Sequence, residues 1–205
     1  MIITYETESS TYKDKKSLYI NATNKCNNRC TFCHRFNREL DDSKMDELWL
    51  EHEPTKEEIL HAVLLRNPES YDAVVFCGYG EPTCRLDEIL WVAEKLKENY
   101  QIEIRLNTNG LANTLYNEDI TPRLKDKIDV VSVSLNAKNA QEYDALCRPL
   151  AEDAFDQLLT FTKNAGRWTK TYMTVIDSLP EEDIKACRKL AEDAGAELKV
   201  RTYLR

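Results

Sequence analysis

Cys26, Cys30 and Cys33 stand in the run Lys25-Cys26-Asn27-Asn28-Arg29-Cys30-Thr31-Phe32-Cys33-His34, a C-x3-C-x-aromatic-C triplet. Three cysteine thiolates can hold three irons of a cubane [4Fe–4S] cluster, which normally takes four protein thiolates. The fourth iron is then free to bind a substrate or cofactor, much as a catalytic zinc keeps an open position where a structural zinc is closed. The alternatives are three free buried cysteines or a zinc knuckle. Zinc requires a fourth Cys or His, typically from a second C-x2-C pair. The chain has no such pair, and His34 adjoins Cys33 too closely to share its metal. Ligand number and spacing therefore favour a cluster.

A second feature is Cys77-Gly78-Tyr79-Gly80-Glu81-Pro82, which follows an apolar run. Two glycines let backbone approach a ligand closely. Glu81 adds a carboxylate able to accept from an amine, and Pro82 suits a helix start. The motif is weak alone and gains force beside the triplet.

The elements that position these residues alternate short apolar runs with helical periodicity. Strands are expected at 17–22, 73–76, 102–106, 130–135, 172–176 and 198–203. Helices are expected at 55–66, 86–98, 140–147, 155–165 and 181–194. Asn109-Gly110 marks a turn, and Gly166 and Gly195 stop helices. Six βα-type repeats imply a parallel sheet with right-handed crossovers. A full eight-unit barrel usually needs about 250 residues, so 205 residues suit a partial (βα)6 TIM-like barrel in one domain. A doubly wound open sheet is the other candidate. Residues 2–5 add an expected antiparallel edge strand. Residues 34–54 form a long charged connection with an expected short helix near 42–50, either a lid or ordinary surface.

Composition narrows the function. The chain carries 28 Lys and Arg against 36 Asp and Glu, a net charge of −8. That argues against a general grip on a nucleic-acid backbone, although Lys25, Arg29, His34, Arg35 and Arg38 gather around the cysteine loop. No apolar run approaches the ~20 residues of a membrane span, and the polar N-terminus lacks a signal-peptide core. A cytoplasmic, reducing compartment is expected, where metal roles for cysteine outrank disulfides.

Taken together, Cys26-x3-Cys30-x-Phe32-Cys33 and Gly78-Tyr79-Gly80-Glu81-Pro82 resemble the radical S-adenosylmethionine (radical SAM) superfamily over nearly the whole chain. Leu106-Asn107-Thr108-Asn109-Gly110 and Val131-Ser132-Val133-Ser134-Leu135-Asn136-Ala137 resemble that superfamily's third and fourth strand ends. More narrowly, Tyr19-Ile20-Asn21-x-Thr23-Asn24-x-Cys26, Phe76 to Thr83, and Cys147-Arg148-Pro149 are similar to the TatD-associated radical SAM group.

The resemblance implies that Cys26, Cys30 and Cys33 ligate the cluster and that Phe32 lies against the adenine of SAM. Gly78, Tyr79, Gly80 and Glu81 receive its methionyl amine, mostly through backbone carbonyls. Thr108 and Asn109 lie nearby. Ser134 and Asn136 match positions that contact ribose or carboxylate, and Arg148 is a candidate partner for the carboxylate. An ordinary turn cap at Asn136 and a surface arginine at Arg148 stay open. The implied reaction is one-electron cleavage of the sulfonium, yielding a 5′-deoxyadenosyl radical that abstracts hydrogen from an unknown substrate; the protein positions and shields this chemistry. A flavodoxin or ferredoxin is the implied electron donor. Cys77, Cys84, Cys147 and Cys187 are too scattered for a second cluster and read as small buried residues. No cysteine-rich extension for auxiliary clusters is expected after the last strand.

An open barrel implies a large substrate such as a peptide or protein, a partner or dimer mate that closes the site, or a small substrate covered by 34–54. A radical SAM enzyme resembling the one that makes carboxy-deazaguanine is the small-molecule alternative. A non-catalytic iron–sulfur electron carrier or redox sensor and a zinc-bearing binding module are the remaining classes.

Overall fold

A computed structural model describes residues 3–6, 16–33, 35 and 48–202. The helix expected near 42–50 falls mostly outside them, as do His34, Arg38 and the end of the expected last strand. Seven strands form one sheet in sequential order: β1 (Thr4–Glu6), β2 (Ser17–Ile20), β3 (Ala73–Phe76), β4 (Glu103–Thr108), β5 (Val130–Ser134), β6 (Lys170–Ile176) and β7 (Glu197–Arg201). β1 pairs antiparallel with β2, and all other pairs are parallel.

The connecting helices are α1 (Lys56–Leu65), α2 (Leu86–Asn99), α3 (Ala112–Tyr116), α4 (Ala140–Cys147), α5 (Ala154–Ala165) and α6 (Glu181–Asp193). α1 begins where Thr55 and Glu58 cap one another's backbone N–H groups, which satisfies two of the orphan donors of a first turn. α2 buries Leu86, Ile89, Leu90, Ala93 and Leu96, the stripe its 3.6-residue period dictates. α3 has only five residues, too few for a periodic signal, and the sequence did not foretell it. β4 extends to Thr108 because its ladder continues until Thr108 faces Val133 of β5.

The strand order decides between the two candidate architectures. A doubly wound sheet reverses its order at a switch point. Here the order never reverses, so right-handed crossovers place every helix on one face. Leu18, Ile20, Val74, Phe76, Ile104, Leu106, Val131, Val133, Met173, Val175 and Leu198 face those helices in the main core. Tyr19, Ala73 and Val75 form a second small cluster with Tyr5 and Cys77 on the opposite face. The sheet curls around this second face. Arg201, on β7, lies close enough to Cys77, just past β3, for its charge to act on the thiol, although β4, β5 and β6 stand between their strands. The architecture is the expected partial barrel, with β1 and β7 as its edge strands among the described residues.

Candidate cluster and cofactor site

β2 is followed by Asn21-Ala22-Thr23, all buried, and the chain turns into the cysteine loop at the carboxyl edge of the sheet. This is the edge where parallel αβ architectures hold ligands. The loop is docked on two sides. Toward β3, Gly80 N–H donates to the Thr23 carbonyl at 2.9 Å and Glu81 N–H to the Lys25 carbonyl at 2.8 Å. Toward α4, Arg29 N–H donates to the carbonyls of Cys147 (3.1 Å) and Arg148 (3.2 Å), Thr31 N–H to Leu146 (2.9 Å), and Leu150 N–H returns to Asn27 (2.9 Å). Asn28, 4% exposed, reaches the Tyr143 hydroxyl.

The two glycines act first on protein, not ligand. A Cβ on Gly80 would stand 2.3 Å from the Lys25 carbonyl oxygen and 2.5 Å from that of Thr23. One on Gly78 would stand 2.6 Å from the Asn21 Cα. Only glycine lets the Gly78–Glu81 turn lie this close to the loop that carries the cysteines.

Glu81 departs from its expected role in the same direction. Its side chain is buried, and Oε1 accepts from Thr83 N–H (3.1 Å), Thr83 Oγ1 (2.7 Å) and Thr108 Oγ1 (2.7 Å), while Oε2 accepts from Asn109 N–H (2.8 Å). Burial holds this carboxyl above its ordinary range despite those donors. The group ties the end of β3 to the end of β4, so most of its accepting capacity is spent inside the protein. Asn109 extends the tie: Nδ2 donates to Asn27 Oδ1 at 2.6 Å, and Oδ1 accepts from Leu111 N–H.

The three cysteines are half-buried, and Cys30 and Phe32 pack against the main core. Burial and the Glu81 carboxylate push the Cys26 thiol up to about 12. A hydrogen bond with Cys147, then burial, raises Cys30, and burial raises Cys33. Burial thus disfavours the free thiolates, and coordination to a metal centre deprotonates a thiol outright. Among the described residues no three His, Cys, Asp or Glu side chains converge on a point that one metal ion could occupy. The corners of a cubane take thiolates separately. The donor set of three sulfurs fits the cluster.

The remaining expected residues fall as follows. Thr108 is buried and committed to Glu81. Ser134, half-exposed, ends β5. Asn136 has a left-handed backbone (φ 61°), and its Nδ2 donates to the Cys147 sulfur at 3.4 Å. Arg148 is exposed and forms the left-handed cap of α4 (φ 45°). Cys147 and Cys187 are buried as expected, but Cys77 and Cys84 are half-exposed. Both sit in the turn after β3, outside the helix-covered core.

Sequence reasoning assigned no role to Asn21 and Asn24, which prove central. Asn21, fully buried, donates to the Leu48 carbonyl and accepts from Tyr79 N–H at 3.0 Å. Asn24 exchanges two hydrogen bonds with the Leu50 backbone, at 2.7 and 3.1 Å. Together they clamp the end of the 34–54 connection onto the cysteine loop, with Leu48 and Leu50 buried and Trp49 set edge-on to Tyr79. Two asparagines three apart beside the triplet were the only signal.

Comparison with known proteins accords with this geometry. The family model described as "Radical SAM superfamily" matches residues 20–191. A "Probable GTP 3',8-cyclase" of Thermococcus kodakarensis is 29% identical over 187 residues, covering 90% of this chain and 55% of that protein. One of Methanocaldococcus jannaschii is 31% identical over 137 residues, covering 66% and 41%. The chain thus spans about half the length of the curated relatives it matches. Among solved structures, Streptococcus suis SuiB bound to precursor peptide SuiA aligns with a TM-score of 0.68 at 18% identity, covering 91% of this chain and 39% of that one. TYW1 with a lysine-pyruvate adduct aligns at 0.63 and 18%, covering 92% and 65%.

Proposed function

Because the chain belongs to the radical SAM superfamily, whose cofactors are a [4Fe–4S] cluster and SAM, we propose that it is a SAM-cleaving radical enzyme with its centre on the loop of Cys26, Cys30 and Cys33. When bound, that cofactor pair supplies a 5′-deoxyadenosyl radical for hydrogen abstraction. The observation that carries this reading is the docking of the Gly78–Glu81 turn onto the cysteine loop through Gly80 and Glu81 N–H at 2.9 and 2.8 Å.

Those N–H groups are consumed by the loop, so the turn offers carbonyls to a ligand amine, and the amine of SAM needs acceptors. Glu81 serves by holding the turn against Thr108 and Asn109, because partners behind a ligand-bearing backbone set its aim. Phe32, Ser134, Asn136 and Arg148 are the proposed contacts to adenine, ribose and carboxylate. Arg148 is the least buried of them, and Asn136 reaches the site through Cys147.

The finer resemblance, to the TatD-associated group, belongs to this reading, as does a flavodoxin- or ferredoxin-type electron donor. The relatives' names speak of a nucleotide substrate and of a precursor peptide. Either class can enter a barrel open between β1 and β7, and closure by a dimer mate is compatible with both.

The test is release of 5′-deoxyadenosine by anaerobically reconstituted protein given SAM and dithionite. Wild type is expected to release it, and Cys30→Ala to release none above background. Equal release from both would refute the mechanism. An EPR spectrum of the reduced cluster that ignores added SAM would favour an electron carrier instead.

A further inference from the structure

The face around which the sheet curls is not apolar throughout. Cross-strand register places Asn107, Ser132, Tyr172 and Glu197 in one row, Ser134, Thr174 and Lys199 in the next, and Arg201 beside Ile176 at the carboxyl edge. Below them the face is closed by Tyr19, Val75 and Arg105, all under 8% exposed. On this face stand Arg105, Lys170, Lys199 and Arg201 against Glu103 and Glu197, a net charge of +2 in a chain of net charge −8. Arg105 answers Glu103 at 2.5 Å, and Lys170 lies at the opposite end. The cations at the cofactor end are Lys199 and Arg201; Glu197 stands one row below Lys199 on the same strand.

Arg201 is the telling residue. Its Nε is buried and meets no hydrogen-bond acceptor among the described residues, and a buried guanidinium N–H without an acceptor is costly. It stands at the carboxyl edge of β7, level with Ile176 of β6, and its charge is felt at Cys77, the residue before Gly78. Lys199 sets its ammonium 3.6 Å from the centre of the Tyr172 ring, and Tyr172 is 5% exposed. The row above that ring holds the hydroxyls of Ser134 and Thr174, and the Asn107 amide shares the ring's own row.

We infer that the concave face binds an anionic substrate group, a carboxylate or a phosphate, on Arg201 and Lys199, with the rest of the substrate held by the polar rows between β4 and β6. The planar guanidinium matches either oxyanion in a bidentate manner. A group bound there lies beside Cys77, next to the turn assigned to SAM, so its neighbouring C–H bonds are presented to the cofactor. This inference names the substrate class of the proposed enzyme and rests on that reading for the location of the cofactor.

Cys77 is partly exposed, with burial raising its thiol above the ordinary range, and provides the reporter. Holoenzyme, reconstituted anaerobically, is alkylated with iodoacetamide in the presence of inorganic phosphate or acetate at constant ionic strength, and Cys77 modification is followed by peptide mass spectrometry. Saturable slowing in wild type is expected, with apparent affinity falling about tenfold or more in Arg201→Gln, as for loss of a hydrogen bond to a charged group. Arg201→Lys should retain part of it, Lys199→Gln should weaken it, and Arg188→Gln, on the exposed face of α6, should match wild type. Protection by phosphate alone assigns phosphorylated substrates, by acetate alone carboxylates, and by both the shared oxyanion chemistry. Equal protection in wild type and Arg201→Gln, or none with either anion, overturns the inference. So does a loss of SAM affinity in Arg201→Gln with anion protection intact, since Arg201 would then serve the cofactor. Release of 5′-deoxyadenosine by the wild type, run in parallel, separates the two failures: release without anion protection sinks only this inference, and protection without release sinks only the radical reading.

Discussion

At the residue scale, the site depends as much on what is missing as on what is present. Gly80 carries no chemistry, yet its absent Cβ is what allows the cofactor turn and the cysteine loop to share hydrogen bonds. Gly80→Ala places a methyl 2.3 Å from the Lys25 carbonyl and 2.5 Å from that of Thr23, and backbone yields less readily than a side chain. Overpacking of this kind costs roughly 1–3 kcal/mol. The expected outcome is an unfolding midpoint lowered accordingly in chemical denaturation, together with fewer irons bound per chain after reconstitution. A variant that binds wild-type iron would show that the turn and the loop need not touch. Glu81 makes a related point. A carboxylate in a presumed ligand motif proves to be a buried strut between β3 and β4, and its neighbour Asn109 carries the same strut to Asn27.

At the element scale, the long connection after the cysteines returns to the sheet as a strap. Leu48 and Leu50 are 5% and 2% exposed, and the backbone between them is held by Asn21 and Asn24. Asn24→Ala removes both bonds to Leu50 and leaves its buried N–H and C=O unpaired, at about 1–3 kcal/mol. Amide hydrogen exchange across 48–53 is expected to quicken in this variant, while exchange in β4 and β5 stays at the wild-type rate. Unchanged exchange in the strap would mean that the buried leucines alone secure it. The strap's far end is fixed separately: Arg85 pairs with Glu53 at 3.1 Å and donates to the Pro54 carbonyl at 2.8 Å, so loss of one tether should loosen the strap without detaching it.

At the scale of the whole molecule, the seven strands among the described residues do not close on themselves, and β7 pairs there with β6 alone. Its grip is Leu198, 5% exposed against the helix-side core, together with α6, which packs on it. Leu198→Ala should cost about 2–5 kcal/mol, toward the lower end because an edge can relax. The α6–β7 unit should then exchange its amides before the rest of the sheet does. Uniform loss of protection across all strands would instead make the domain a single cooperative unit. Because Lys199 and Arg201 ride on that edge, the strand that completes the concave face is also the one most easily displaced.

Much of this was legible in one dimension. The triplet Cys26, Cys30 and Cys33 and the Gly78–Glu81 motif declare their chemistry by residue type and spacing. The helical stripes of α2 and α5 and the all-apolar β3 declare their elements, because burial demands a period of 3.6 or 2 residues. Contacts between distant segments were not legible. No local pattern says that Gly80 must clear Lys25, that Glu81 will be met by Thr108 and Asn109, or that Asn21 will hold Leu48. Nor does one say that the charge of Arg201 on β7 will be felt at Cys77. Those relations arise only when sequential strand order curls the sheet, and that curl is set by tertiary packing of helices on one face. Local sequence thus determined which side chains can do chemistry, and the tertiary structure alone decided which of them meet.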